Sequence, residues 1–298
     1  MRQLADMSAD MAVVADGLGF LEGPRWHDGR LWFSDFSSRT VNCVDVSGAV
    51  QRHAYVAGQP SGLGFAPNGD LLVVSTHEGH ILRIDDEGTT LVADVGATYR
   101  GGLNDMTVDA NGRAYVSAFP AHVAGQRTGQ VHGEPSVPLF MVTLEGDVTV
   151  VAEDLAVPNG MTLNADASML VVAETLGCRL TAFDVAADGT LSGRRLFADL
   201  GGRKPDGICM DQSGAVWFGS PFSSEFVLVQ EGGKVQRTIA TPGRWAVSCA
   251  LGGEDGRTLW GVTVAVTIDE YRRGGGRGAV EICELDAGPT AQIAPTRG

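Results

Sequence analysis

Hydrophobic residues along this chain fall in short runs bounded by polar turns. Six of these runs directly follow a turn and are rich in β-branched or aromatic residues, which favours β-strands over helices. The six runs cover residues 31–35, 71–75, 114–118, 170–174, 215–219 and 258–262. Five of the six turns contain the glycine that a tight hairpin uses for positive φ. The pattern therefore predicts a chain of short antiparallel hairpins.

The hairpins recur at a regular distance. Successive turns are separated by 40, 43, 56, 46 and 42 residues, and further apolar runs supply third and fourth strands in most units. This is the period of a β-propeller blade, whereas the repeats of a solenoid, the other interpretation, are usually shorter and more uniform. We therefore predict an all-β fold, a six-bladed β-propeller with four-stranded antiparallel blades. We expect it to form a single domain over residues 1–298.

A polar residue stands at the start of the first strand of every predicted blade. These residues are Glu22, Ser61, Asn104, Asn159, Asp206 and Ser248. Because the first strand of each blade lines the central channel, we expect them to form a ring at one channel mouth. Taken singly, Asn159-Gly160 and Asp206-Gly207 are ordinary turn dipeptides. Their shared position in six units instead favours a functional site.

The predicted ring supplies oxygen donors and contains neither His nor Cys. Glu22 and Asp206 carry two negative charges, which balance a divalent cation, and the two asparagines offer neutral carbonyl oxygens. Such a set suits Ca²⁺, Mg²⁺ or Mn²⁺. We expect one divalent metal ion, Ca²⁺ first, with Zn²⁺, Mn²⁺, Mg²⁺ and Fe²⁺ as alternatives. With few protein ligands, the metal keeps positions for water and substrate and can polarise a carbonyl or phosphoryl oxygen.

Charge and composition narrow the choice of partners. The net charge of -14 argues against nucleic acid and against an anionic membrane surface, which leaves a small-molecule substrate. The chain has no apolar run of the roughly 18 residues that a membrane-spanning helix needs, and we see no signal peptide. The five cysteines are widely spaced and lack a CxxC pair. We therefore expect reduced thiols in a cytoplasmic protein.

Four segments, in chain order, resemble the SMP-30/gluconolactonase/LRE-like family. Residues 21–26 resemble its E-G-P-x-W signature, and residues 103–109 resemble its N-D-x-x-V-D segment. Residues 158–161 resemble its N-G segment, and residues 204–207 resemble its P-D-G segment. The resemblance covers essentially the whole chain and implies a six-bladed propeller with a divalent metal in its central channel.

The resemblance also implies roles for the ring residues. Glu22, Asn159 and Asp206 would ligate the metal, and Asn104 would be a fourth ligand or a substrate contact. Asp206 would double as the general base, and the neighbouring Asp105 would contact substrate. Family members are mostly lactonases that open sugar lactones, and relatives hydrolyse phosphotriesters. The resemblance thus implies a metal-dependent hydrolase of the lactonase or esterase type, in which the metal stabilises the oxyanion.

The sequence departs from the family pattern around the third blade. Sugar-lactone members often have an arginine two residues before the Asn of N-D, whereas Arg100 precedes Asn104 by four. We still assign Arg100 to substrate binding. Residues 119–137 form an insertion that contains His122, Arg127 and His132 and explains the 56-residue spacing. It is either a solvated loop or a lid that sets substrate choice, and in the second case His122 contacts substrate.

Other features leave alternatives open. Arg244-Trp245 either forms an aromatic wall of the pocket or packs between blades. The chain has no G-x-S-x-G elbow for Ser-His-Asp catalysis. A metal-binding propeller without turnover, acting as a regulator or ligand sensor, is a second hypothesis. A third is a strictosidine synthase-like enzyme with a non-lactone substrate, which the displaced Arg100 and the insertion favour.

Overall fold

A computed structural model describes residues 11–120 and 136–285. Within them, six four-stranded antiparallel sheets are arranged as a six-bladed β-propeller, which confirms the predicted fold class. The predicted strands correspond closely to observed ones; the run at 71–75, for example, is an observed strand with the same bounds. That one domain spans the whole of 1–298 stays a prediction.

The chain enters through β1 (Ala12–Leu18), and each later blade is then formed in sequence order. Blade 1 contains β2 (Leu21–His27), β3 (Arg30–Asp35), β4 (Thr40–Val44) and β5 (Gln51–Tyr55). Blade 2 contains β6 (Pro60–Phe65), β7 (Leu71–Ser75), β8 (His80–Asp85) and β9 (Gly88–Asp94). Blade 3 contains β10 (Leu103–Val108), β11 (Ala114–Ala118), β12 (Ser136–Val142) and β13 (Val148–Ala156).

The second half of the chain follows the same order. Blade 4 contains β14 (Pro158–Leu163), β15 (Met169–Glu174), β16 (Arg179–Val185) and β17 (Leu191–Asp199). Blade 5 contains β18 (Ile208–Met210), β19 (Val216–Ser220), β20 (Glu225–Val229) and β21 (Val235–Ala240). Blade 6 contains β22 (Trp245–Gly252), β23 (Thr258–Ala265), β24 (Arg277–Glu284) and, as its outermost strand, β1.

Helix is scarce and short. The described chain has one α-helix, α1 (Ile268–Arg272), between β23 and β24, and two 3₁₀ helices, Val95–Ala97 and Pro221–Ser223. Thr267 caps α1 in a capping box with Glu270. In the described segments, no helix is long and apolar enough to cross a membrane.

The ring closes by pairing the first strand with the last. β1 runs antiparallel to β24, with Ala12 opposite Ile282 and Ala15 opposite Val280. The sequence pattern did not predict this strand, because its residues carry no hairpin turn and alternate weakly. Its pairing covers the edge of β24, which would otherwise expose unpaired backbone groups. The two ends of the propeller thereby belong to one blade.

The hydrophobic core is divided among the six interfaces between neighbouring blades. Each interface has its own cluster of buried side chains contributed by the two blades that meet there. Trp260 and Phe33, for example, pack between blades 6 and 1 and are fully buried. Every blade buries its two faces against its two neighbours, so the blades form a closed ring. The channel runs through the centre of this ring, lined by the first strand of each blade.

Candidate active site at the channel mouth

The ring residues occupy equivalent places at the start of the innermost strands. Glu22, Ser61, Asn104 and Asn159 are each the second residue of their strand. Asp206 lies two residues before β18, and its backbone N–H donates to the carbonyl of Gly219 at 2.9 Å, which continues the pairing of the blade. These polar side chains therefore lie at one end of the channel, as the repeat predicted.

In five of the six blades, the pairing between the first and second strands is irregular near the ring residues. The register between first and second strands shifts at residues 22–25, 60–63, 103–106, 158–161 and 246–248. A β-bulge removes residues from the strand ladder and changes where their side chains point, and bulges are frequent next to active sites. Four of the six ring residues, Glu22, Ser61, Asn104 and Asn159, lie at or within these bulges, and the shift in β22 ends at Ser248.

Glycine follows four of the ring residues because the innermost strands approach closely there. A Cβ on Gly207 would lie 1.7 Å from Ser248 Oγ, and a Cβ on Gly160 would lie 2.6 Å from Gly207 Cα. Neither glycine has the positive φ of a turn. Asn159-Gly160 and Asp206-Gly207 are therefore packing contacts between blades, and the interpretation of these dipeptides as turns is wrong. In blade 3 the corresponding position is Asp105.

Ring residues of neighbouring blades lie together in pairs. Ser61 Oγ donates to Asn104 Oδ1 at 3.5 Å, and the Asn159 amide lies close enough to the Asp206 carboxylate to lower its pKa. Asn159 Nδ2 also donates to Thr175 Oγ1 at 3.3 Å. The structure thus brings Asn104 together with Ser61, and Asn159 together with Asp206.

Two acidic side chains at this level influence each other's charge. Burial, reinforced by the negative charge of Asp105, raises the pKa of Asp206 to about 7, against a weaker opposing effect of the Asn159 hydrogen bond. Burial also raises the pKa of Asp105, and its ion pair with Arg25 opposes that rise. Among residues 11–120 and 136–285, no basic side chain lies within ion-pair distance of Asp206. The mouth is therefore short of positive charge beside Asp206.

Arg25 is the site residue that the sequence did not indicate. Its Nη2 lies 2.9 Å from Asp105 Oδ1 and also donates to the carbonyl of Met106, while Nη1 donates to the carbonyl of Pro24 at 2.8 Å. The side chain therefore links blade 1 to blade 3 across the channel. Arg25 occupies the variable position of the E-G-P-x-W segment, and a charged residue in an innermost strand is the signal that could have indicated it.

Two predicted substrate contacts are not connected to the ring by any described interaction. Arg100 is exposed and forms no ion pair with a described residue. His122, like Arg127 and His132, lies outside the described residues, so the assignment of the 119–137 insertion stays a prediction. At the start of that insertion, the Tyr99 hydroxyl donates to the carbonyl of Phe119 at 2.7 Å, which fixes its first residue beside the mouth.

Arg244 and Trp245 have different surroundings. Arg244 points along the sheet, with Nε donating to Thr263 Oγ1 at 2.7 Å. Trp245 is half-buried, packs against the core of the blade 6 and blade 1 interface, and also contacts Phe222 at a ring distance of 5.1 Å. The predicted core packing of Trp245 is thus observed, and its role as an aromatic wall of the pocket stays a prediction.

The donor set fits a hard divalent cation. Asn104 is 3% exposed, yet its Nδ2 has no hydrogen-bond partner among the described residues. Rotating this amide by 180° would leave its nitrogen near Ser61 and turn its oxygen to the unfilled position. Together with Glu22, Asn159 and Asp206 this gives an all-oxygen set with two carboxylates. Among the described residues, no group of three or more His, Cys, Asp and Glu side chains is placed to hold a metal ion, so a site here would need the two amides as ligands.

Comparisons with known proteins agree with this architecture. The model of the SMP-30/Gluconolactonase/LRE-like region matches residues 20–265. Pentonolactonase XacC of Haloferax volcanii is 25% identical over 251 residues, which cover 81% of this chain and 80% of that protein. A gluconolactonase structure from Xanthomonas campestris has a TM-score of 0.74 at 24% identity, covering 94% of this chain and 93% of its own. The calcium-binding protein regucalcin from Agrobacterium tumefaciens has a TM-score of 0.74 at 18% identity, covering 96% and 98%.

Proposed function

Because the chain belongs to the SMP-30/gluconolactonase/LRE-like family, we propose that it is a metal-dependent hydrolase that opens lactones. The observation that carries the proposal is the oxygen ring at the channel mouth, with Asp206 beside Asn159 and unpaired by any described cation. The relationship to a pentonolactonase over most of both chains supports a lactone as the substrate class. Small-molecule lactones also agree with the net charge of -14.

In the proposed site, Glu22, Asn159 and Asp206 hold the cation, with Asn104 as a fourth ligand or a substrate contact. We propose Ca²⁺ as the natural ion, with Zn²⁺, Mn²⁺, Mg²⁺ or Fe²⁺ as alternatives. When bound, the cation supplies Lewis-acid polarisation of the lactone carbonyl. By holding the cation at the channel mouth, these residues would also orient a lactone whose carbonyl oxygen faces it.

Asp206 moves the proton in the proposed reaction. Its carboxylate takes a proton from water as the water oxygen attacks the lactone carbonyl carbon. The same proton then passes to the ring oxygen as the carbon–oxygen bond breaks, which yields a hydroxy acid. Asp105, held by Arg25, adds negative charge that favours proton uptake by Asp206.

The proposed hydrolase is tested by measuring whether added metal restores lactone turnover to metal-free protein. Protein stripped with a chelator is assayed on a panel of γ- and δ-lactones, with each of the five cations added back. We expect turnover that returns with metal and falls by at least about a hundredfold in Asp206→Ala. Glu22→Gln should weaken metal binding in calorimetry while the fold is retained.

A matched control and a second outcome complete this test. Asp255→Ala removes an exposed acid from the turn between β22 and β23, at the opposite end of the blade, and should change neither property. Metal binding without turnover on any lactone or phosphotriester would contradict the proposed hydrolase. It would favour the alternative of a metal-binding regulator or sensor. We also propose a cytoplasmic location, from the wide spacing of the five cysteines in the sequence and the lack of a CxxC pair.

A further inference from the structure

Four aromatic side chains form a continuous arc along one side of the channel mouth. Phe222 contacts Trp245 at 5.1 Å between ring centroids, Trp245 contacts Tyr271 at 5.2 Å, and Tyr271 contacts Phe20 at 5.4 Å. Each lies where a first strand begins or where a second strand turns into a third, and both places are at the mouth in an antiparallel blade. We call these four residues the aromatic arc.

Each end of the aromatic arc is connected to a ring carboxylate by a short stretch of chain, at the Phe222 end through its contact with Lys204. Phe20 precedes Glu22 by two residues, and Lys204 precedes Asp206 by two. The Lys204 ammonium lies over the Phe222 ring, 5.3 Å from its centroid. The arc therefore extends from one predicted metal-binding carboxylate to the other, over blades 5, 6 and 1. If a molecule is held between these carboxylates, a substituent that it carries on this side would contact the arc.

The arc presents one exposed ring, Phe222, to solvent, next to the partly exposed Trp245 and Tyr271, whereas Phe20 is buried. Phe222 is 58% exposed, although Trp217 and Phe226 of the same blade are buried. The contacts with Lys204 and Trp245 hold the exposed ring in place. A fixed aromatic surface next to a polar cleft is typical of a ligand site, because little side-chain freedom is lost when it is covered.

Three basic side chains around the arc are already engaged. Arg203 is paired with Glu225 at 2.8 Å, and Arg244 donates to Thr263 at 2.7 Å. The ammonium of Lys204 contacts the Phe222 ring. A polyhydroxylated substituent would lose hydrogen bonds to water here without regaining them from these side chains. The surroundings therefore favour an apolar substituent.

We propose that the aromatic arc is a subsite that binds an apolar, ring-bearing substituent on the lactone. This inference rests on the proposed lactone hydrolysis and specifies the substrate class. The substituent packs against Phe222 and Trp245 while the lactone carbonyl lies over the polar ring. The segment that connects β11 to β12 belongs to blade 3, whereas the arc belongs to blades 5, 6 and 1.

The test compares two pairs of probes that differ by one phenyl ring. The lactones are δ-valerolactone and δ-valerolactone with a phenyl group on the ring carbon next to its alkoxy carbon, so both are esters of a primary alcohol. The binding probes are their ring-opened hydroxy acids, which cannot turn over. We expect the phenyl acid to bind about tenfold more tightly in calorimetry with Ca²⁺ present, and the phenyl lactone to have a correspondingly lower KM with little change in kcat.

Phe222→Ala should remove most of the phenyl advantage, and Trp245→Leu should reduce it while keeping an apolar side chain. Leu196→Ala is the matched control, since Leu196 is also 58% exposed but lies on β17, the outer strand of blade 4. An equal affinity of wild type for both acids, or a phenyl advantage unchanged in Phe222→Ala, would overturn the inference. So would a dimer, seen by sedimentation, that Phe222→Ala converts to monomer.

Failure of the subsite is distinguishable from failure of the proposed hydrolase. Turnover of both lactones at equal KM in wild type and Phe222→Ala leaves the hydrolase intact and removes the subsite. Phenyl-dependent acid binding that Phe222→Ala abolishes, without turnover of any lactone, retains the subsite and removes the hydrolase.

Discussion

Charge balance among a few residues controls the channel mouth. Three carboxylates, on Glu22, Asp105 and Asp206, lie at or next to the ring, and the Arg25 guanidinium pairs with Asp105 at 2.9 Å. Arg25 thus pairs with Asp105, the acid that blade 3 has at the position where four other blades have a glycine. Asp206 has no ionic partner among the described residues. A bound cation would balance the negative charge of its carboxylate.

Removing Arg25 should destabilise the fold. In Arg25→Met the buried Asp105 loses its partner while close to Asp206, so we expect a loss of about 3 kcal/mol in the free energy of unfolding, measured in urea. The double variant Arg25→Met/Asp105→Asn should recover part of the loss. Arg257→Met, which breaks an exposed pair with Asp255, should change stability by less than about 1 kcal/mol. Equal losses in the two single variants would contradict this role.

The raised pKa of Asp206 predicts how stability depends on pH in metal-free protein. The folded state keeps the proton up to about pH 7, whereas the unfolded chain releases it near the ordinary value of 3.8. The folded state therefore binds more protons between these values, and its stability falls as pH rises through this window. Urea unfolding with chelator present should show that the advantage of Asp206→Asn over wild type grows from pH 5 to pH 7.5. A constant difference would contradict the assignment.

At the scale of elements, the bulged innermost strands form the site. The glycines that follow the ring residues allow neighbouring innermost strands to pack closely. Gly207→Ala places a methyl group against Ser248, so the innermost strands of blades 5 and 6 must separate. We expect weaker metal binding and a lower melting temperature. Gly102→Ala is the control, because its added Cβ has no atom closer than 3.4 Å. Metal affinity and melting temperature unchanged by Gly207→Ala would contradict the close approach seen here.

β1 is predicted to stabilise the closed ring through one face. Ala15 is 8% exposed and packs with Phe20 and Trp260, whereas Val13 on the same strand is 57% exposed. Ala15→Asp buries an unpaired charge and should lower the melting temperature by several degrees, as expected for a loss of a few kcal/mol. Val13→Asp should leave it nearly unchanged. Similar effects from both changes would show that β1 does not contribute to the core in this way.

Much of the architecture was predictable because it repeats. Hairpins with a regular spacing specify the blades, and the polar residue at the start of each first strand specifies the ring. The pairing of β1 with β24 was not predictable, since it joins strands more than 250 residues apart and has no local signal. Arg25 was missed for a similar reason, because its partner Asp105 becomes its neighbour only when six blades close. The glycines after Asn159 and Asp206 have the composition of turns but serve packing.

For the whole molecule, six blades closed by one strand produce one channel whose mouth collects one oxygen-bearing side chain from each blade. The central claim is that a divalent cation binds there. The most direct measurement is the anomalous diffraction of crystals soaked in Mn²⁺. The account predicts a single strong peak at the channel mouth, coordinated by Glu22, Asn159 and Asp206, that is lost in Glu22→Gln crystals. A mouth without a peak, or a peak bound by other residues, would contradict it.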